Sequence, residues 1–466
     1  MTHVHFIGIG GSGLSAIARV LLESGYTVSG SDQILSPLAE ELQRLGAKVD
    51  IGHRAEQVQG ADWVVRSSAI PDDNVEVQAA RQAGIPVYKR ADFLGHWMEG
   101  KTGIAVAGTH GKTTTTAMIA WMLTALGQDP TFIIGGVMRN LGVNAHAGRG
   151  EAFVIEADEY DRMFLGLRPR IAVVTNVEHD HPDCYPKFID ILMAFESFVE
   201  LLPADGTLIA CAENAGASHL MTVAQRSNRH VVAYTAEEQL TVRASNWVMA
   251  RGLQVNEYGG FTFRARTNLH YGHSATIALR LPGRHNVRNA LAAWSVALVL
   301  GLPPKQAAEA LEAFQGTGRR FEVRGEVNGI TLIDDYAHHP TEIEATLEAA
   351  RSRYGQRRLW ALWQPHTYSR TQALLAEFAR VFYRADEVIV TEIYRAREPV
   401  QPFSAQAVAK QIDHPAVRFI PTLEEATDYL EQNLRPGDIL LVLSAGDADR
   451  VTSELMRRLE KTVDGG

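Results

Sequence analysis

Lys112 and Thr113 stand where an anionic triphosphate would need a cation and a metal-binding hydroxyl. They close the run Gly108-Thr109-His110-Gly111-Lys112-Thr113-Thr114, which follows the apolar stretch 104–107. Glycines at 108 and 111 let backbone N–H groups turn inward onto a phosphate, and the helix opened by the threonines adds the positive end of its dipole. Lys112 is then expected to reach the β- and γ-phosphates, with the Thr113 hydroxyl on Mg2+. The general pattern has a glycine five positions before Gly111, where this chain has Val106, so the cradle is a shortened relative.

Two acidic groups follow. Glu156-Ala157-Asp158-Glu159 ends one apolar stretch, and Glu178-His179-Asp180-His181-Pro182-Asp183 follows the next. Both fall at carboxyl ends of neighbouring strands of a central sheet, the side where the phosphates would lie. Hard oxygen ligands and a histidine there make a Mg2+ site beside Thr113. Near the start, Gly8-x-Gly10-x-x-Gly13 with Asp32 nineteen residues beyond Gly13 is a diphosphate-binding turn. It suits NAD and a nucleotide sugar such as a UDP derivative equally, and the triphosphate cradle favours the sugar because a dehydrogenase needs no ATP site. Late in the chain, Asp334-Asp335-Tyr336-Ala337-His338-His339-Pro340 and Gln364-Pro365-His366-Thr367-Tyr368-Ser369-Arg370-Thr371 end two further strands. Three histidines and Arg370 at strand ends point to anion handling, with Arg370 suited to a bidentate grip on a carboxylate.

These groups need strand ends to hold them. Apolar stretches alternate with helical segments along all 466 residues, more than one core usually serves. The pattern predicts an α/β protein of three domains: N-terminal Rossmann-like (1–100), central P-loop ATPase-type with a mostly parallel sheet and an added β layer (101–317), and C-terminal Rossmann-like (318–466). The added layer is read from short strand-like runs between 206 and 281, such as 240–244 and 261–266. A formal charge of −9 argues against nucleic acid or a membrane surface held by a general basic field, so positive charge must be placed locally. Cys184 and Cys211 have neither metal nor redox spacing, which fits a reducing compartment. The glycine-interrupted start reads as a folded strand rather than an export leader, and no run approaches the ~20 apolar residues of a membrane span. A cytoplasmic protein is expected.

Several short motifs in shared order carry a resemblance over essentially the full length. They are His5-Phe6-Ile7-Gly8-Ile9-Gly10-Gly11-Ser12-Gly13, the 108–114 run, Glu156-Ala157-Asp158-Glu159, Asp180-His181-Pro182-Asp183-Cys184-Tyr185, His285-Asn286-Val287-Arg288-Asn289-Ala290, Arg319-Arg320-Phe321-Glu322, the 335–342 run and the 364–371 run. Together they resemble the Mur ligases of peptidoglycan precursor synthesis, in their alanine-adding branch. The resemblance implies an ATP- and Mg2+-dependent enzyme that joins L-alanine to UDP-N-acetylmuramate through an acyl phosphate, as a monomer or weak homodimer. Carried over by motif, Gly108, Thr109, His110, Gly111, Lys112, Thr113 and Thr114 hold ATP. Asn289 and Asp335 lie near its adenine and ribose, Arg320 near its phosphates, and Thr113, Glu156 and His181 at Mg2+. Gly10, Gly11, Ser12, Asp32 and Ser68 face the UDP substrate, and Tyr336, His338 and Arg370 the incoming alanine. Lys112, His181, His338 and Arg370 form the implied catalytic set, with His338 the candidate base.

The chain also departs from the family pattern. Pro182 replaces an expected methionine, Thr367 stands where many relatives have a second arginine, and Glu196 occupies the region where later branches carry a carbamylated lysine. A murein-recycling ligase adding a peptide to the same acceptor, a P-loop NTPase switch and a NAD-binding protein are the competing readings.

Overall fold

Short apolar strands alternating with helices close into three successive sheets. The computed structural model describes residues 1–464 apart from 241 and 397, the side chains of 12, 271 and 462–464 excepted. The first sheet holds His3–Ile7, Thr27–Asp32, Lys48–Ile51, Trp63–Arg66 and Val87–Lys89, all paired in parallel in the order third, second, first, fourth, fifth. Strand order reverses between His3–Ile7 and Trp63–Arg66, which opens a crevice at their carboxyl ends. The turn 8–13 and Ser68 both follow strands that border it.

The middle sheet has ten strands. Thr102–Ala107 lies between Ile171–Val174 and Ala152–Glu156, all parallel, so the phosphate loop and both acidic groups emerge on one edge. The expected β layer is different in kind. Asn246–Val255 pairs in parallel with His230–Thr235, and Phe261–Thr267 and His273–Ala278 continue antiparallel, so these strands lengthen the same sheet. An open edge offers unpaired backbone groups, and pairing there satisfies them. Of the expected run 240–244, residue 241 lies outside the described residues and 242–244 are not strand.

The third sheet runs Glu322–Val327, Ile330–Asp335, Ile439–Leu443, Leu359–Trp363, Glu387–Val390, Val417–Phe419, antiparallel at its first pair and parallel beyond. Its alternating side chains feed two separate cores, Ile333, Trp363 and Leu443 on one face and Leu332, Trp360 and Leu440 on the other. The first two sheets behave otherwise. Phe6, Ile17, Phe93 and Met98 belong to the same core as Ile104, Phe153 and Trp294, and among the described residues none beyond Phe314 joins it. The Trp97 and Phe153 rings meet edge-on at 5.6 Å, and a Cβ on Gly95 would strike the carbonyl oxygen of Gly166. Among the described residues no helix is long and apolar enough to cross a membrane.

Candidate active site

The strand Thr102–Ala107 ends in the loop 108–111, and the helix Lys112–Ala125 begins directly behind it. Gly108 (φ +142°) and Gly111 (φ +80°) occupy backbone regions that side chains resist. A Cβ on Gly108 would strike the Thr175 hydroxyl, and one on Gly111 would lie 2.9 Å from Asn289 Oδ1. The loop is pinned from the next strand. His110 donates its backbone N–H to Asn176 Oδ1 (2.8 Å), and its carbonyl accepts from Thr175 Oγ1 (2.6 Å) and Asn176 Nδ2 (3.1 Å).

Lys112 Nζ donates to the carbonyls of Gly108 (2.6 Å) and Thr109 (3.1 Å) and to Glu159 Oε1 (2.9 Å). Thr113 Oγ1 donates to Glu156 Oε1 at 2.9 Å, and Glu156 Oε2 accepts from the Gly135 N–H at 2.7 Å. Adjacent oxygens around Mg2+ bound at roughly 2.0–2.1 Å are themselves about 2.9 Å apart, so this hydroxyl and carboxylate already have the spacing of two ligands. His181, in a left-handed conformation (φ 52°), presents Nε2 3.6 Å from Glu159 Oε1. One cleft is lined by Lys112, Thr113, Glu156, Glu159 and His181 from the middle domain and by Arg320, Tyr336, His338, His366 and Arg370 from the third.

A second cavity continues past Gly111, Arg320 and Glu342, which border both. Thr114, His110, Asn289 and Asp335 line it beside Tyr234, Leu281 and Phe321. Asp335 accepts the N–H groups of Phe321 (2.7 Å) and Ala337 (2.8 Å), and burial above all pushes its carboxyl up to about 6.

The first domain's candidate residues lie apart from this cleft. Asp32 Oδ2 accepts the Gly10 N–H at 2.8 Å, and Gly11 precedes the helix Ser12–Glu23 without a side-chain cap. The Ser12 backbone starts that helix, while its side chain lies outside the described residues. Ser68 lines a charged recess with Lys89, Arg90 and Arg162 as well as Asp92 and Asp161. Arg90 packs its guanidinium directly onto Gly13, a contact the glycine pattern did not announce.

Comparison with known proteins matches this arrangement along its length. Family models describe residues 3–102 as Mur ligase family, catalytic domain, residues 106–297 as Mur ligase middle domain and residues 319–446 as Mur ligase, glutamate ligase domain. The UDP-N-acetylmuramate–L-alanine ligase of Roseiflexus sp. (strain RS-1) is 46% identical, with 96% of this chain and 97% of that protein covered. The same-named protein of Caldanaerobacter subterraneus subsp. tengcongensis is 43% identical, with 98% of each covered. The chain belongs to the Mur ligase family. It is thus an amide-forming ligase. Among solved structures, UDP-N-acetylmuramate-alanine ligase MurC from Thermotoga maritima superposes with a TM-score of 0.79 at 27% identity, with 99% of this chain and 100% of that one covered. A murein peptide ligase from Psychrobacter arcticus gives 0.71 at 27% identity, with 98% and 99% covered.

In this Mur ligase the cleft is a chain of alternating charges. Burial opposes the charge on Glu159, but Lys112 and His181 outweigh it and hold the carboxyl below its ordinary value. Burial likewise opposes the Lys112 charge, and Glu159, Asp158 and Glu156 overcome it. Burial pushes His338 down to about 3, so its ring is neutral; Nδ1 faces the Tyr336 carbonyl at 2.9 Å and Glu342 Oε2 at 3.3 Å, which leaves Nε2 as a hydrogen-bond acceptor rather than a strong base. Arg370 is placed differently from the expected bidentate grip. Its Nε donates to Asp180 Oδ1 at 2.8 Å with both side chains buried, while Nη1 faces His366 Nδ1 at 3.0 Å and Nη2 faces His181 Nδ1 at 3.5 Å.

Glu159, Glu178, Asp180 and Glu342 lie inside the motifs read from the sequence, which gave none of them an individual role. Glu178 accepts from His110 Nε2 (3.3 Å) and from Thr341 Oγ1 (2.8 Å). Donor atoms of His110, Glu178 and His339 lie within 4.8 Å of one another. His339 Nδ1 accepts the Thr341 N–H at 3.3 Å, and burial above all pushes its ring down to about 4.

Proposed function

We propose that this Mur ligase joins L-alanine to UDP-N-acetylmuramate with cleavage of ATP to ADP and phosphate, in peptidoglycan precursor synthesis. The observation that carries the reading is full-length identity of 42–46% to relatives bearing that name, in a chain whose cleft gathers a phosphate loop, hard oxygen ligands and basic residues. The muramate carboxylate attacks the γ-phosphorus, the bond to the β-phosphate oxygen breaks, and ADP leaves. The neutral alanine amine then attacks the acyl carbon, phosphate departs, and the amine proton is lost as the amide forms.

Two anions must meet in the first step. Lys112 offsets that repulsion and stabilises charge on the transferring group. Thr113, Glu156 and His181 would hold Mg2+, which supplies further positive charge to the phosphates. Arg320 faces the phosphates from the third domain, with Asn289 and Asp335 in the adjoining cavity on the nucleoside. The residues of the turn 8–13 with Asp32 and Ser68 hold the uridine nucleotide in the first domain. Tyr336, His338 and Arg370 flank the amine's approach; with its value at about 3 the neutral His338 accepts a hydrogen bond at Nε2 and orients the amine, whose proton leaves to solvent. Docking of the third domain keeps water from the acyl phosphate.

Following 18O from the muramate carboxylate into released phosphate tests the chemistry directly. Label retained wholly in the amide product would refute an acyl phosphate. A recycling reading is favoured by the likeness to the murein peptide ligase, and comparing free L-alanine with a tripeptide as acceptor separates the two.

A further inference from the structure

We infer that Glu342 is a positioning residue through which the docked third domain sets the geometry of the phosphate loop. The inference rests on the ATP reading above and adds to it a carboxylate that closes the 335–342 run but has no role in the mechanism.

Glu342 sits in the first turn of the helix Pro340–Tyr354 and divides its two oxygens between two tasks. Oε2 accepts the backbone N–H groups of His338 (3.0 Å) and His339 (3.4 Å), the cap that a Glu or a Gln at this position makes equally well. Oε1 leaves its own helix. It lies 3.2 Å from His110 Nδ1, in the middle of the phosphate loop of another domain, and 3.7 Å from Arg320 Nη1. Capping does not require a charge; the charge is held by His338, whose Nδ1 lies 3.3 Å from Oε2, and by the outward partners His110 and Arg320. The Glu342 side chain is 10% exposed, as is that of His110, so the pair interacts with little screening.

The His110 backbone is held by Thr175 and Asn176 on the loop's far side, and its ring is held on both edges. Nε2 hydrogen-bonds Glu178 of its own domain, and Nδ1 faces Glu342 of the third at 3.2 Å as an ion pair without hydrogen-bond alignment. Burial opposes the ring's charge, while these two carboxylates sustain it. Removing the Glu342 charge leaves the ring with one anchor and lets it rotate toward Glu178, one residue away from Gly111 and two from Lys112. Docking of the third domain has a second fastening in Asp180–Arg370, so the loss falls on the loop rather than on the docking itself.

The test is a double-variant cycle with Glu342→Gln and His110→Gln, with Glu342→Ala alongside. Glu342→Gln keeps the cap; it is expected to keep the thermal midpoint and the KM for UDP-N-acetylmuramate while kcat/KM for ATP falls about 10-fold, the scale of coupling between contacting groups. In the His110→Gln background the same change is expected to cost less than about 2-fold, because the partner is already gone. Multiplicative losses in the double variant would overturn the inference, as would wild-type kcat/KM for ATP in Glu342→Gln with a lowered midpoint in Glu342→Ala, which would leave capping alone. Absence of ATP turnover in the unmodified enzyme is a different failure: it would refute the function reading and this inference with it.

Discussion

The two boundaries of the middle domain are built from opposite materials. Toward the first domain it shares one apolar core, with Trp97 against Phe153 and the backbone of Gly95 against Gly166. Toward the third it meets charge with charge: Asp180 with Arg370, His110 with Glu342, Glu178 with Thr341. Apolar burial is non-directional and is lost wholesale when surfaces part, whereas ionic contacts exchange for water or for an anionic ligand. The first pair of domains is therefore expected to behave as one body, and the third as a part that docks on it.

The largest test breaks the apolar side. Phe153→Ala is expected to cost about 3–5 kcal/mol and to lower the unfolding of the first two domains together, as one calorimetric transition. Two separated transitions would show that the shared core does not couple them. On the ionic side, Asp180→Ala leaves buried Arg370 unpaired, a change worth about 3–5 kcal/mol where a buried pair is broken. Its expected readout is a larger radius of gyration by X-ray scattering and faster proteolysis between residues 316 and 322, with the midpoint of the first two domains unmoved.

Lys112→Ala spares both boundaries and removes the phosphate-facing cation. Turnover is expected to fall by roughly 10²–10³-fold with compactness unchanged. Near-normal ADP release would refute the triphosphate assignment.

The smallest effect comes from pH. Burial opposes the His110 charge, Glu178 and Glu342 outweigh it, and its value rises from 6.5 to about 9. A raised value means the His110–Glu342 contribution is complete below about 6.5 and lost as pH climbs through about 9, while Asp180–Arg370 still fastens the domain. Scattering from pH 7 to 10 should show expansion toward the alkaline end in Asp180→Ala, where His110 carries more of the docking, and little change in the unmodified protein. A flat profile would assign the docking to Asp180–Arg370 alone.

Much of this was legible in local sequence. The phosphate loop needs glycines, a lysine and threonines within a few residues, and strand ends carrying Glu156 and Asp335 announce themselves by an apolar run that stops at a carboxylate. Partners distant in sequence left no such trace: Asp180 and Arg370 are 190 residues apart, and nothing in either neighbourhood points to the other. Periodicity identified extra strands but not the edge they would join, which is why an added layer was expected where the sheet simply continues. Glu342 had a local signal, three residues beyond His339 in capping-box spacing, but only the folded chain shows where its second oxygen goes. The same holds for the grip of Arg370, which reads as free in sequence and is committed to Asp180 in space.

The close backbone contact of Gly95 with Gly166 gives the enzyme a caliper. On the proposed reading, with uridine held in the first domain and Lys112 at the phosphates in the second, a tethered acid is expected to be selected by its reach, so that a carboxylate mounted one bond too near or too far misses the phosphorus even if bound tightly.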